Sequence, residues 1–197
     1  MSIFIIVYWV GLVIEIIVRA PVNRVIKTAE KTEQRVSLTE NILLGLLTLG
    51  GLPFPLIYSL THWLDFANYT LPVWMGWLGV IFLGMGVFIF ARAHLDLKSN
   101  WSPSLEIYRG HTLITNGIYG YIRHPMYASQ WLFTIGQLLL LQNWLAGPLG
   151  FIVFIPFYFL RVKAEEQMML ENFGDPYRQY MQKTGRVIPK IARASFQ

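Results

Sequence analysis

GHTLITNGIYGYIRHPMY, residues 110–127, is the stretch on which the reading of the fold turns. It holds two of the four histidines, His111 and His124, the turn signal Asn116-Gly117 and the triplet Arg123-His124-Pro125. It is polar and rich in aromatic rings, yet long apolar runs lie on both sides. Pro125 suits the first turn of a helix, where its missing N–H costs nothing, so the downstream apolar run opens as a helix there. A polar, ring-bearing segment that leads into a membrane helix is where chemistry is expected.

Working outward, five apolar runs emerge: 3–18, 42–60, 72–91, 125–141 and 145–160. With 54% hydrophobic residues and a mean hydropathy of +0.44, the chain is too apolar for an ordinary soluble domain. The fold expected is an all-α integral membrane protein with about five transmembrane helices. The second run is broken near its centre by Gly50-Gly51-Leu52-Pro53-Phe54-Pro55. The fourth and fifth are joined so tightly, through Asn143-Trp144 and Gly147-Pro148, that they read as a helical hairpin. The shorter runs cover only about 24 Å at 1.5 Å per residue, so flanking residues or local thinning must make up the difference. The first run has no preceding basic residue and no small-residue cleavage site, and reads as a retained helix rather than a signal peptide. Without cysteine there is no disulfide, thiolate nucleophile or Cys-held metal, and no metal site is expected.

The sixteen basic residues set the orientation. Arg19, Arg24, Lys27, Lys31 and Arg35 lie between the first two runs; Arg92, Lys98, Arg109 and Arg123 lie between the third and fourth. Arg161, Lys163, Arg178, Lys183, Arg186, Lys190 and Arg193 begin at the end of the fifth. The connections at 61–71 and 142–144 hold none. Five spans therefore put every positive charge on one side, with the N-terminus outside and the C-terminus and residues 110–127 in the cytoplasm. This rule also accounts for the +5 charge without invoking nucleic acid. Residues 20–40 are charged and amphipathic, as in a surface helix or loop. Glu15, costly inside a span, has Arg19 one turn later as a pairing partner. Gly76, Gly79, Gly84 and Gly86 of the third run admit close approach of a helix or ligand; Gly84-x-Gly86 is no dinucleotide fingerprint, since no strand precedes it.

Two constellations carry chemical potential. His124 lies at the mouth of the fourth helix, near its unpaired N–H groups and positive dipole end, a place for an anion such as a carboxylate. Tyr127 and Trp131 share a face there and form an aromatic wall, or with His124 only an interfacial belt. Arg161 and Glu165 stand one turn apart at the end of the fifth run. They form either an intrahelical ion pair or a two-sided clamp, the arginine fork for a carboxylate and the glutamate for an amine.

The order N-W-S, G-H-x-L-I-x-x-G-I-Y, R-H-P-M-Y, hairpin, R-x-x-x-E-E, F-G-D-x-Y and K-T-G-R-x-x-P resembles the isoprenylcysteine carboxyl methyltransferase family, most closely its short prokaryotic members, over about 98–190. The resemblance implies one membrane methyltransferase domain over 1–197, with N-terminal spans in 1–71 and a cofactor-binding core in 72–197. It implies S-adenosyl-L-methionine as cofactor, bound without a Rossmann fold by His111, Leu113, Ile114, Tyr119, His124, Pro125, Tyr127 and Glu165. Arg161 would act on the substrate as the catalytic residue, with Trp131 beside it in the substrate wall. The glutamine contact that the family has ahead of G-H is missing, since Ser104-Leu105-Glu106 stands there. The acceptor implied is lipophilic and membrane-associated: the C-terminal carboxylate of a prenylated cysteine or an analogue. A sulfonium methyl is already activated and a C-terminal carboxylate is ionised at neutral pH, so alignment and desolvation suffice and no general base is needed. The alternatives are N- or S-methylation of a lipid head group, an NADPH-dependent sterol or enone reductase with a related R-H-P-x-Y motif, and a non-catalytic membrane scaffold. The glycines of the third run fit either a packed core or a dimer face.

Overall fold

The protein is seen in a computed structural model that describes residues 2–26, 31–34, 37–97, 106–108 and 112–190. Helices run as α1 (Ile3–Ile26), α2 (Leu38–Gly51), α3 (Pro53–Leu60), α4 (Val73–Leu97), α5 (Pro125–Leu140), α6 (Pro148–Phe173) and α7 (Asp175–Lys183). Two short strands, β1 (Lys31–Gln34) and β2 (Glu106–Tyr108), pair antiparallel. That ribbon corrects the expected surface helix or loop at 20–40: α1 continues to Ile26 and the chain then becomes a strand. Backbone pairing between two connections on one face satisfies their N–H and C=O groups where no helix does.

Three helical stretches are long and apolar enough to cross a membrane: Ile3–Pro21, Leu38–Leu60 and Val73–Leu97. The α5–α6 hairpin forms as expected, but α5 has 16 residues. Any 18-residue stretch of α6 must include Arg161, Lys163 and Glu165.

The break in the second run falls between α2 and α3, where Pro53 and Pro55 supply no N–H. Pro55 thus cannot donate to Gly51 O, and Gly50 O and Gly51 O at the end of α2 take their donors from other helices. The Tyr8 hydroxyl of α1 donates to Gly51 O at 2.5 Å, and Gln137 Nε2 of α5 donates to Gly50 O at 2.7 Å and to Ala146 O at 2.6 Å. In a bilayer such partners must come from the protein.

α4 and α5 pack with almost no side chain between them. A Cβ on Gly136 would stand 2.9 Å from Leu83 N, and one on Gly86 would stand 3.0 Å from Phe133 N. Gly76 receives the Phe4 ring of α1, while Gly84 has open space. Three of the four glycines of α4 thus serve internal packing. Around them Phe4, Ile5, Tyr8, Leu83, Phe133, Leu140 and Leu141 form the buried core.

Candidate active site

The segment that precedes α5 is fixed from three sides. Asn116-Gly117 makes the expected turn, with Gly117 at φ 58°, where a Cβ would strike the Asp96 carboxylate. That carboxylate accepts the Ile118 N–H at 2.8 Å and so holds the turn Gly117–Gly120 to α4. Tyr180 of α7 donates its hydroxyl to Tyr119 O at 2.6 Å. Then Arg123 N–H and His124 N–H donate to the carbonyls of Gly185 and Arg186, each at 2.9 Å. The run 183–186, Lys-Thr-Gly-Arg, therefore lies alongside Arg-His-Pro. Pro125 takes the first helical position, as expected.

His124 is 4% exposed and sits between two adjacent carboxylates. Its Nδ1 is 3.6 Å from Glu165 Oε1 and its Nε2 is 3.3 Å from Glu166 Oε1. Tyr127 donates to Glu165 Oε2 at 2.6 Å. Glu166 also accepts Arg123 Nε–H at 2.8 Å and Arg186 Nη2–H at 2.5 Å. Burial disfavours the imidazolium, but the hydrogen bonds and charges of the two glutamates outweigh it and raise the His124 pKa above its ordinary value. Burial likewise pushes both carboxyls up. For Glu165 the contact with His124, the Arg161 charge and the Tyr127 hydroxyl prevail and hold it below the ordinary range. For Glu166 the contacts with His124, Arg186 and Arg123 do the same.

The two glutamates differ in access. The Glu166 side chain is 6% exposed and enclosed by its cations, whereas that of Glu165 is 32% exposed and faces a cavity of about 470 Å³. Leu113, Ile114, Tyr119, His124, Pro125, Tyr127, Arg161 and Glu165 all line that cavity, so the structure gathers these expected residues in one place. The run 112–115 that carries Leu113 and Ile114 has no regular secondary structure and joins no strand pair among the described residues. His111 lies outside the described residues, as do Asn100, Trp101 and Ser102. Trp131 does not line the cavity. Its ring packs on Phe151, Phe154 and Tyr158, centroids 4.8–5.6 Å away, because α6 fills the face that the expected substrate would have used.

Several residues escaped the sequence reading. Arg161 pairs across to another helix: its Nη1 is 2.8 Å from Glu40 Oε1, in the first turn of α2. Its guanidinium also stands 5.4 Å from the Phe157 ring centroid. Arg123, Glu166 and Arg186 form the frame around His124, and Tyr177 and Tyr180, three apart on α7, close the polar end of the cavity. The recurring charges of R-H-P, E-E and K-T-G-R were the available signal for this frame. From there the cavity continues into the membrane half, past Leu44, Leu47, Phe133 and Phe154 to Gln137. The arrangement can hold a cationic group against Glu165, an anionic group against Arg161 and an apolar chain below them. Among the described residues no cluster of His, Asp or Glu could hold a metal ion.

A profile described as the isoprenylcysteine carboxyl methyltransferase family matches residues 77–171. Protein-S-isoprenylcysteine O-methyltransferase of Schizosaccharomyces pombe is 31% identical over 76% of this chain and 64% of its own length. The Tribolium castaneum protein of that name is 29% identical over 68% of this chain and 51% of its own. A solved eukaryotic intramembrane Ras methyltransferase, isoprenylcysteine carboxyl methyltransferase, superposes with a TM-score of 0.51 at 27% identity, over 78% of this chain and 52% of that one. The chain thus spans half to two thirds of the length of these relatives. With its apolar helices, it is an integral membrane protein, and its residues 77–171 match the isoprenylcysteine carboxyl methyltransferase family.

Proposed function

We propose that the protein is an S-adenosyl-L-methionine-dependent methyltransferase acting on the carboxylate of a lipophilic thioether, such as a prenylated cysteine. One observation carries this reading. A single cavity joins an accessible carboxylate, Glu165, to a buried arginine, Arg161, and to an apolar limb between the helices. Its volume suits a small-molecule site. The donor set fits the methyl donor. Glu165, held ionised by His124 and Tyr127, suits an ammonium, while Leu113, Ile114 and Tyr119 offer apolar and ring surface for a nucleoside. When bound, the cofactor supplies an activated methyl group on a sulfonium sulfur.

The chain's own residues do the positioning. Arg161 has five N–H donors, enough to hold Glu40 and a substrate carboxylate together. Glu40 fixes the guanidinium so that it need not be ordered at the moment of binding. The apolar limb takes the lipid and excludes water from the carboxylate, which strengthens the charge attraction that aligns the partners. The basic residues at this end of the helices support a site at the cytoplasmic face, in a reading that takes α5 and α6 as the fourth and fifth spans and 72–197 as the cofactor-binding core.

Calorimetric titration of the detergent-solubilised protein with S-adenosylhomocysteine tests the cofactor. Binding by the parent, and its loss in Glu165→Ala and His124→Ala, is expected. A folded parent that takes NADPH instead would overturn the reading. Arg161→Ala should bind S-adenosylhomocysteine within about threefold of the parent while transferring no methyl group, as expected of a residue whose contacts are with the acceptor.

A further inference from the structure

Glu15 lies within the membrane-spanning part of α1, where an ionisable side chain marks function unless a partner explains it. Its Oε1 is shielded from solvent and accepts no hydrogen bond among the described residues. Arg19, one turn on, interacts with its charge and with that of Arg161, so these three groups share one region. Leu12, Glu15, Ile16 and Arg19 recur at helical spacing and all line the cavity, which makes them one stripe of α1 facing the same ligand as Arg161. This stripe lies outside the family match at 77–171.

We propose that Glu15 recognises the acceptor through an N–H group, selecting thioether amino acids over thioether acids that lack nitrogen. The inference rests on the methyl-acceptor reading above. In an S-alkylated cysteine the carboxylate and the nitrogen sit on one carbon. An acceptor whose carboxylate meets Arg161 therefore presents its N–H beside it, and the Glu15 oxygen is an acceptor already placed in the cavity wall. An acid without nitrogen satisfies Arg161 and leaves Glu15 unmet, and sites built to bond an N–H discriminate against ligands that lack it.

The test compares the binding of N-acetyl-S-farnesylcysteine and 3-(farnesylthio)propanoic acid to the solubilised protein saturated with S-adenosylhomocysteine. The parent should favour the amide-bearing acid by about tenfold or more. Glu15→Leu should cut that ratio to under about threefold by weakening the amide-bearing acid alone, with affinity for S-adenosylhomocysteine unchanged. Glu15→Gln, nearly isosteric, guards against misfolding and should fall between. A parent ratio near one, or a ratio unchanged in both variants, overturns the role of Glu15. Methyl transfer to both acids is measured in parallel. Transfer without discrimination removes only Glu15's role, discrimination without transfer removes only the methyl-acceptor reading, and a parent that binds neither acid overturns both.

Discussion

Three cationic side chains meet Glu166 within 3.3 Å, whereas at Gly136 two helices meet so closely that a Cβ would stand 2.9 Å from a backbone nitrogen. Each region has neighbours in the wall of the same cavity, His124 in one and Phe133 and Gln137 in the other, yet they are held in opposite ways. At the polar end Glu166 has three cationic partners, so removing it strands charges that depend on it. In the membrane half backbones approach through glycine, and single neutral hydrogen bonds satisfy the carbonyls of a broken helix. Function at one end depends on charge balance; at the other it depends on shape.

The sharpest way to break this contrast is Glu166→Gln. It leaves Arg123, 9% exposed, without its counter-charge and His124 with Glu165 alone, and should cost about 3–5 kcal/mol in thermal or denaturant unfolding. Glu165→Gln, at a carboxylate open to the cavity, should cost under about 1 kcal/mol. Equal losses would remove the distinction between an enclosed and an accessible glutamate. Gly136→Val comes next. Its new Cβ meets Leu83 N at 2.9 Å, and overpacking should cost about 1–3 kcal/mol. Gly84→Ala, with open space at its Cβ, should be neutral or slightly stabilising.

The pH profile sharpens the same point. Glu165 and Glu166 are depressed in the folded protein, so below about pH 4.3 the unfolded chain binds more protons and stability falls with falling pH. His124 is raised, so above about pH 6.5 the folded protein retains a proton that the unfolded chain has lost, and stability falls with rising pH through the folded value. Each group contributes up to about 1.4 kcal/mol per pH unit. Melting temperatures across pH 3–9, a range set by these reference values, should show both limbs, and His124→Asn should flatten the alkaline one; a parent flat above pH 6.5 would rule out a doubly paired imidazolium. In the membrane half, Gln137→Leu removes the bonds to Gly50 O and Ala146 O. A loss of about 1–2 kcal/mol is expected, in keeping with hydrogen bonds inside membrane proteins.

Local signals were legible. Pro125 opened α5, Gly50 to Pro55 broke the second segment, and Gly147-Pro148 turned the hairpin, because each acts through its own backbone. Leu113, Tyr119, His124, Tyr127 and Glu165, expected to face a cofactor, converge on one cavity because the two segments that carry them are joined by that hairpin. What stayed hidden depends on distant pairing. Nothing near Arg161 announces Glu40, which reaches it only once α2 packs on α6. Adjacent Glu165 and Glu166 look interchangeable in sequence, but neighbouring helical positions point about 100° apart, so one faces the cavity and the other faces Arg123 and Arg186. Trp131 kept its predicted face, but α6 occupies what that face looks at.

The carbonyls of Gly185 and Arg186 that receive the N–H groups of Arg123 and His124 have a consequence for biosynthesis. The ribosome delivers residues 185 and 186 after α7, when every helix lining the cavity has already been made. Until then His124 has neither its backbone anchor nor the Arg186 that shares Glu166. The surroundings of His124 are therefore completed only after the last cavity-lining helix has been made, and the polar end of the cavity takes its final form when that short segment docks.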